Sequence, residues 1–232
     1  MFWTKIANRV ISYLREKNPN PLISHVTLRR WIGILGILLP AVCGLGGWLW
    51  ASLFLQQSIS FYYHTNVRDY FVGILVVVSL FLITYKGYEK RDNILTTITG
   101  IFGLGVVTFP CLLDKEVGCP IGFFQLNQEC SNTIHQICSV FFFGLLAANS
   151  YFLFTKTDKK KELWVNKGKR NFLYKACGIL MGITLAALIV IVEVNEHFVE
   201  ENNIVFWFET IMVVSFAVSW LVKGETIWRD PK

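Results

Sequence analysis

The sequence predicts an all-α, polytopic membrane protein folded as a six-transmembrane-helix bundle, and three observations carry that prediction. The first is composition: the 232 residues are 53% hydrophobic and 16% charged, with a mean hydropathy of +0.47, too apolar for an ordinary soluble domain. The second is length. Six apolar stretches, at 31–55, 70–85, 94–113, 134–154, 172–194 and 204–222, approach or exceed the ~20 residues that cross a hydrocarbon core of roughly 30 Å. The third is charge. Placing successive gaps on alternate sides of a membrane gathers every lysine and arginine except Arg68 and Lys115 on one side. Cationic loops are retained in the cytoplasm during insertion, so both termini are expected there. The layout is a cytoplasmic segment 1–30, a six-helix transmembrane domain 31–222 and a cytoplasmic tail 223–232. The expected location is the cell (cytoplasmic or plasma) membrane.

The opening 17 residues lack the continuous apolar core and small-residue cleavage site of a signal peptide. Phe2, Ile6, Val10 and Leu14 recur at helical spacing with Lys5, Arg9 and Lys17 around them, the pattern of a helix lying on the cytoplasmic surface. The alternative is a basic tail without fixed structure. Pro19 and Pro21 end this segment before the first span. Pro40 is expected to kink span one by removing a backbone donor. Span two, 70–85, is short and reaches across only if Asp69 and Lys86 extend toward the headgroups. Small residues mark expected contact faces: Gly100, Gly103 and Gly105 in span three, Gly144, Ala147 and Ala148 in span four, and Gly178 and Gly182 as GxxxG in span five. They suit packing inside the bundle, or else a dimer seam. The lysine-rich segment 156–170 is expected to fix topology and touch anionic headgroups at the cytoplasmic face. The alternative is a protein-docking loop. The basic balance does not call for nucleic acid.

Cysteine usage follows the same division. Cys43, Cys138 and Cys177 fall within spans and read as small apolar packing residues. Cys119 and Cys130 fall in the outer loop between spans three and four, where an oxidising compartment would close a Cys119–Cys130 disulfide, with Cys111 as competing partner. No CxxC or CxxH spacing calls for zinc, and no P-loop, glycine-rich dinucleotide fingerprint, HExxH or GxSxG is present. The sequence calls for no metal and no cofactor.

What remains is a polar constellation on the outer side. Ser60, His64, Arg68 and Asp69 lie in or beside the first outer loop, His135 opens span four, Glu193 closes span five, and Glu209 lies inside span six. An ionisable group at that depth ordinarily faces the bundle interior and meets a partner or water. Arg68, His64 and His135 are the expected partners of Glu209. The alternative is an interfacial carboxylate near a helix N-terminus.

Three resemblances bear on this constellation. Ser60-x-x-x-His64 followed by Asp69 resembles the SxxxH and Asp elements of the alkaline ceramidase and adipoQ-receptor superfamily. The chain departs from it in having six spans, no closing HxxxH, and its serine and histidine in a loop. The run from Ser58 to Pro110 is similar to an uncharacterised group of bacterial membrane proteins with an SxSxYYxT…RDxFVG signature. Here that signature is Ser58, Ser60, Tyr62, Tyr63 and Thr65, then Arg68, Asp69, Phe71, Val72 and Gly73. The six-helix layout with a histidine opening span four also resembles the DRAM/Frag/Sfk-like family, whose membership implies a role in membrane and lipid homeostasis and supplies no catalytic residues. The leading expectation is therefore a non-enzymatic protein whose outer polar pocket binds membrane lipid or a membrane protein partner. The alternatives are a membrane-embedded, metal-dependent hydrolase acting on lipid, and a small transporter.

Overall fold

The computed structural model describes residues 24–87, 89–113, 120–156 and 166–228. The amphipathic segment 1–17, Cys119 and most of the lysine-rich segment lie outside the described residues. The regular structure of the described residues is helical apart from a single antiparallel bridge between Ile121 and Leu126. Each apolar stretch becomes one long helix: α1 (His25–Ala51), α2 (Arg68–Thr84), α3 (Lys90–Thr108), α4 (Gln128–Leu153), α5 (Lys167–Val194) and, after the short α6 (Glu196–Glu201), α7 (Ile204–Lys223). Four of them, α1, α4, α5 and α7, are long and apolar enough to cross a membrane.

Local chemistry sets the helix ends. Ser24 accepts the Thr27 N–H at 3.1 Å to start α1, and Asn127 accepts the Cys130 N–H at 2.8 Å to start α4, each satisfying a donor that has no intrahelical partner. Glu89 and Asp92 form a reciprocal capping box at the start of α3. Pro40 does not end α1. The backbone widens into a π turn at Val42–Gly46 just beyond it, and the helix resumes until Ser52 adopts a left-handed conformation. A second π turn, Asn149–Leu153, closes α4.

The long helices form a closed ring. Each packs on its sequence neighbour, and α7 returns between α5 and α1. The connections alternate between two ends. The basic end carries the start of α1, residues 85–87 and 89, the end of α4 and the end of α7. The loop end carries segments 52–67, 109–113, 120–127 and 195–203. Small residues make the seams. A Cβ on Gly36 would lie 2.9 Å from the Ala217 Cβ on α7, one on Gly100 would strike the Ser79 carbonyl of α2, and one on Gly178 would lie 3.0 Å from the Ala147 carbonyl of α4. Gly182 meets nothing within 4 Å, so only one glycine of the GxxxG pair serves a helix contact.

The apolar core contains a set of buried polar side chains, and large apolar side chains cover much of the outside. Ser79, Thr96, Thr99, Asn149, Ser150, Ser215 and Ser219 are buried, whereas Trp31, Ile34, Leu180, Ile183, Val190 and Ile211 are exposed. Two pairs among them bond across helices: Asn149 Nδ2 donates to Thr99 Oγ1 at 2.9 Å, and the Ser150 and Ser219 hydroxyls meet at 2.5 Å. The surrounding core is apolar and includes Met181, Met212, Phe142, Phe216 and Trp220.

Candidate functional site

The loop end is organised by side chains that satisfy backbone groups. Glu209, on the second turn of α7, is only 7% exposed. Its Oε2 accepts the Ile59 N–H at 2.6 Å, and the Ser60 N–H also bonds to this carboxylate. These are the first donors of the 3-10 turn Ser60–His64, which otherwise have no partner in so short a helix. Glu209 therefore caps that turn from across the bundle. The expectation that it pairs with Arg68 or a histidine is corrected: its partners are backbone N–H groups. Beside it, the Phe206 N–H donates to the Gln57 carbonyl at 2.9 Å, so α7 holds segment 52–59 at two points. Tyr62, fully buried, packs under Gly47 and offers its hydroxyl oxygen to the Gln56 N–H at 3.4 Å.

A second set of side chains straps the chain beyond α3. Gln128, Ser131, Asn132 and His135 follow helical spacing and share one face of α4. Ser131 Oγ donates to the Pro110 carbonyl at 2.8 Å, Asn132 Oδ1 accepts the Leu112 N–H at 3.1 Å, and Gln128 Oε1 accepts the Leu113 N–H at 3.5 Å. His135 Nδ1 lies 3.0 Å from the Val106 carbonyl and 2.8 Å from that of Phe109. A ring nitrogen facing two carbonyls must carry the proton, so Nδ1 is the donor. His135 thus satisfies carbonyls left open where α3 ends. The sequence singled out His135 alone. The QxxSNxxH spacing was the signal for the other three.

His64 joins the two sets. Its Nε2 donates to the Cys111 carbonyl at 2.9 Å. Burial holds the imidazole below the ordinary histidine range, the bond to Cys111 opposes this, and the Arg68 charge adds to the lowering. Neutral His64 is the resulting form. Burial likewise pushes the Cys111 thiol up to about 12, so it stays protonated.

Arg68, at the start of α2, stacks its guanidinium 4.3 Å from the Tyr63 ring centre and donates to the Tyr63 hydroxyl at 2.8 Å. Tyr63, His64, Thr65, Asn66 and Arg68 form one wall of a groove of about 450 Å³. Leu113 and the turn carrying Pro120, Ile121, Gly122 and Gln125 form the other.

The expected constellation is therefore split. Ser60 joins Glu209 in the cap, His64 and Arg68 join in the groove wall, and His135 belongs to the strap. Asp69 and Glu193 are exposed and belong to none of these. Cys130 is an exposed free thiol on the first turn of α4, and its expected partner Cys119 lies outside the described residues. No group of three His, Cys, Asp or Glu side chains suited to a metal ion forms among the described residues.

The basic end, read from the sequence as a topology signal and a contact for anionic headgroups, also holds a buried carboxylate. Asp92, 2% exposed, meets Lys156 Nζ at 2.8 Å, and Glu89 meets the same nitrogen at 2.9 Å. These two carboxylates, Asp92 foremost, hold the Lys156 ammonium above the usual lysine range. Arg29 Nε donates to the Tyr85 hydroxyl at 3.2 Å, Arg30 Nε to the Gly224 carbonyl at 2.8 Å, and Lys223 Nζ to the Phe154 carbonyl at 3.1 Å. The readable signal was the capping-box spacing of Glu89 and Asp92. No protein-family model, curated protein or solved structure matches the chain.

Proposed function

We propose that this chain is a six-span protein of the cell membrane, with both termini in the cytoplasm and the loop end outside. Its function is non-enzymatic: the outer groove binds a lipid headgroup or a partner membrane protein. The observation that carries this reading is the groove of about 450 Å³ walled by Arg68, Tyr63 and His64 at the end opposite the basic end. Exposed apolar side chains around a polar-seamed interior are what lipid surroundings favour, because hydrocarbon gives helices no hydrophobic reason to associate and polar contacts join them instead. The helices α2 and α3 are the two further spans. Both sit in the same ring as the four longer apolar helices and reach both of its ends.

Binding is favoured over hydrolysis by how the loop-end groups are used. The Glu209 carboxylate is taken up by two backbone N–H groups, and the His64 and His135 donor nitrogens by carbonyls. Asp69 stands apart on the surface. A general acid or base needs a group within reach of its substrate and free to exchange a proton. None of these is so placed.

Accessibility labelling tests the reading. In a background lacking Cys119 and Cys130, Asn66→Cys should react with a membrane-impermeant maleimide on intact cells. Lys167→Cys should react only after the membrane is opened. Reaction at position 167 from outside would overturn the topology and the outer placement of the groove.

A further inference from the structure

We propose that the groove takes the phosphodiester of a glycerophospholipid of the outer leaflet, and that the 121–126 turn dips Phe123 and Phe124 into the acyl layer beside it. The inference rests on the outward placement of the loop end given above and goes beyond it by naming the ligand and the way it is presented.

The turn is built to a fixed shape. Ile121 and Leu126 exchange both backbone hydrogen bonds, at 2.9 and 3.2 Å, and Gln125 Nε2 donates to the Gly122 carbonyl at 2.8 Å. Gly122 has φ +74°, where a side chain would be strained. A Cβ there would also lie 2.7 Å from Pro110 Cδ and 3.0 Å from the Thr108 carbonyl. The turn is therefore pressed onto the end of α3. Phe124 stacks on Phe109 with ring centres 5.4 Å apart and Phe123 meets Phe124 edge-on at 5.2 Å. Despite this order, Phe123 is 81% exposed and Phe124 56% exposed. Two phenyl rings held in water forgo the favourable transfer that an apolar medium gives them.

The same six residues face two ways. Phe123 and Phe124 form the apolar tip, while Ile121, Gly122 and Gln125 line the groove opposite Arg68. One molecule that satisfies both faces has a small polar head joined directly to apolar chains. Arg68 supplies one guanidinium, whose forked N–H groups match phosphate oxygens, and Tyr63 holds it in place by stacking and by its hydroxyl. A single positive charge suits the single negative charge of a phosphodiester.

The test uses the full chain in phosphatidylcholine vesicles containing photoactivatable phosphatidylglycerol, with the crosslinked residue located by mass spectrometry. The wild type should crosslink at or next to the 121–126 turn. Arg68→Gln should reduce the yield about tenfold, the loss of one charge-assisted contact, and Arg68→Lys should restore part of it. Folding of each variant is followed by thermal unfolding in detergent. Phe123→Trp, which keeps the tip apolar, should show added fluorescence quenched by lipids with brominated chains. Undiminished crosslinking of Arg68→Gln would overturn the phosphate assignment, and a tryptophan at 123 unquenched by brominated chains would overturn insertion of the turn. Soluble glycerol 3-phosphate should fail to compete. If it displaces the lipid completely, the groove remains a binding site but its ligand is a free phosphate ester, and the lipid proposal fails alone. Labelling of Lys167→Cys from outside would instead bring down the topology beneath both.

Discussion

The two ends of the ring are made by the same helices and are held by different physics. At the loop end, polar side chains bond to backbone: Glu209 to Ile59 and Ser60, His64 to Cys111, His135 to Val106 and Phe109, Ser131 to Pro110. At the basic end, where Arg30 and Lys223 also reach the Gly224 and Phe154 carbonyls, charges meet charges and aromatic faces: Asp92 and Glu89 with Lys156, Arg29 over Tyr85, Lys223 over Phe154 and Tyr174. Long irregular segments explain the contrast. The loop end contains two irregular stretches, 54–58 and 110–113, between helices, and their buried N–H and C=O groups need partners. The connection between α2 and α3 is short, and the long basic side chains at that end lie along aromatic faces and reach carbonyls at the helix ends. Polarity at one end shapes the chain, and at the other it closes the helix ends together.

The sharpest way to break this comparison is at Glu209. Glu209→Leu leaves the Ile59 and Ser60 N–H groups buried without an acceptor, at about 1–3 kcal/mol each. We expect a total loss of about 2–5 kcal/mol, seen as a lower midpoint of thermal unfolding in detergent. Glu209→Gln keeps an acceptor oxygen and should lose clearly less. If the charge itself mattered through an ion pair, Gln and Leu would be equally damaging. Equal damage would refute the capping role.

The basic end supplies the next largest effect. Asp92→Ala removes both the capping box and the buried partner of Lys156, for an expected loss of about 2 kcal/mol. Glu89→Ala also removes the capping box, but the Glu89 side chain is 61% exposed, so its ion pair with Lys156 adds 1 kcal/mol or less. Unfolding at low and at 1 M salt would sharpen the point. The ion-pair part of the Glu89 contribution should fade with screening while the contribution of Asp92 persists. Equal sensitivity of the two would mean that Asp92 is not shielded by its burial.

The smallest effect is a pH dependence at the loop end. Burial keeps the folded-state pKa of His64 below that of the unfolded chain. As pH falls through about 6.5, the unfolded state takes up the proton first. The contribution of His64 to stability is therefore complete above that value and is lost as pH falls toward the folded-state pKa. His64→Gln, which can still donate to the Cys111 carbonyl, should flatten the acid side of a stability profile between pH 7.5 and 5.5. An unchanged profile would show that His64 does not titrate in this window.

Much of the helical layout was legible because it depends on local properties. A run of apolar residues forms a helix wherever it lies: all of 134–154 but its last residue, Phe154, falls within α4, and 172–194 falls within α5. Boundaries moved where local chemistry was subtler. Span one was read as starting at Trp31, whereas Ser24 caps α1 from His25, and the 52–55 end leaves the helix at Ser52. The polar residues were also visible, and their partners were not. Glu209 stood out as a buried acid by its depth in an apolar run, but its acceptor role requires the Ile59 N–H, which lies 150 residues away along the chain. Asp92 drew no notice because capping residues and buried ion-pair members look alike in sequence.

The sequence by itself determined that the described residues build helices and no sheet, where the four long apolar helices lie, and which connections carry positive charge. Apolar length and charge are additive along a chain and need no knowledge of neighbours. Only the tertiary structure decided that α7 closes the ring between α1 and α5, and that Arg68 and Gln125 face one groove across 57 residues. It also decided that the histidines and Glu209 are bound to backbone instead of to one another. A hydrogen bond or ion pair exists only between groups brought within about 3 Å, and that proximity is set by how the ring closes, which no local stretch of sequence contains.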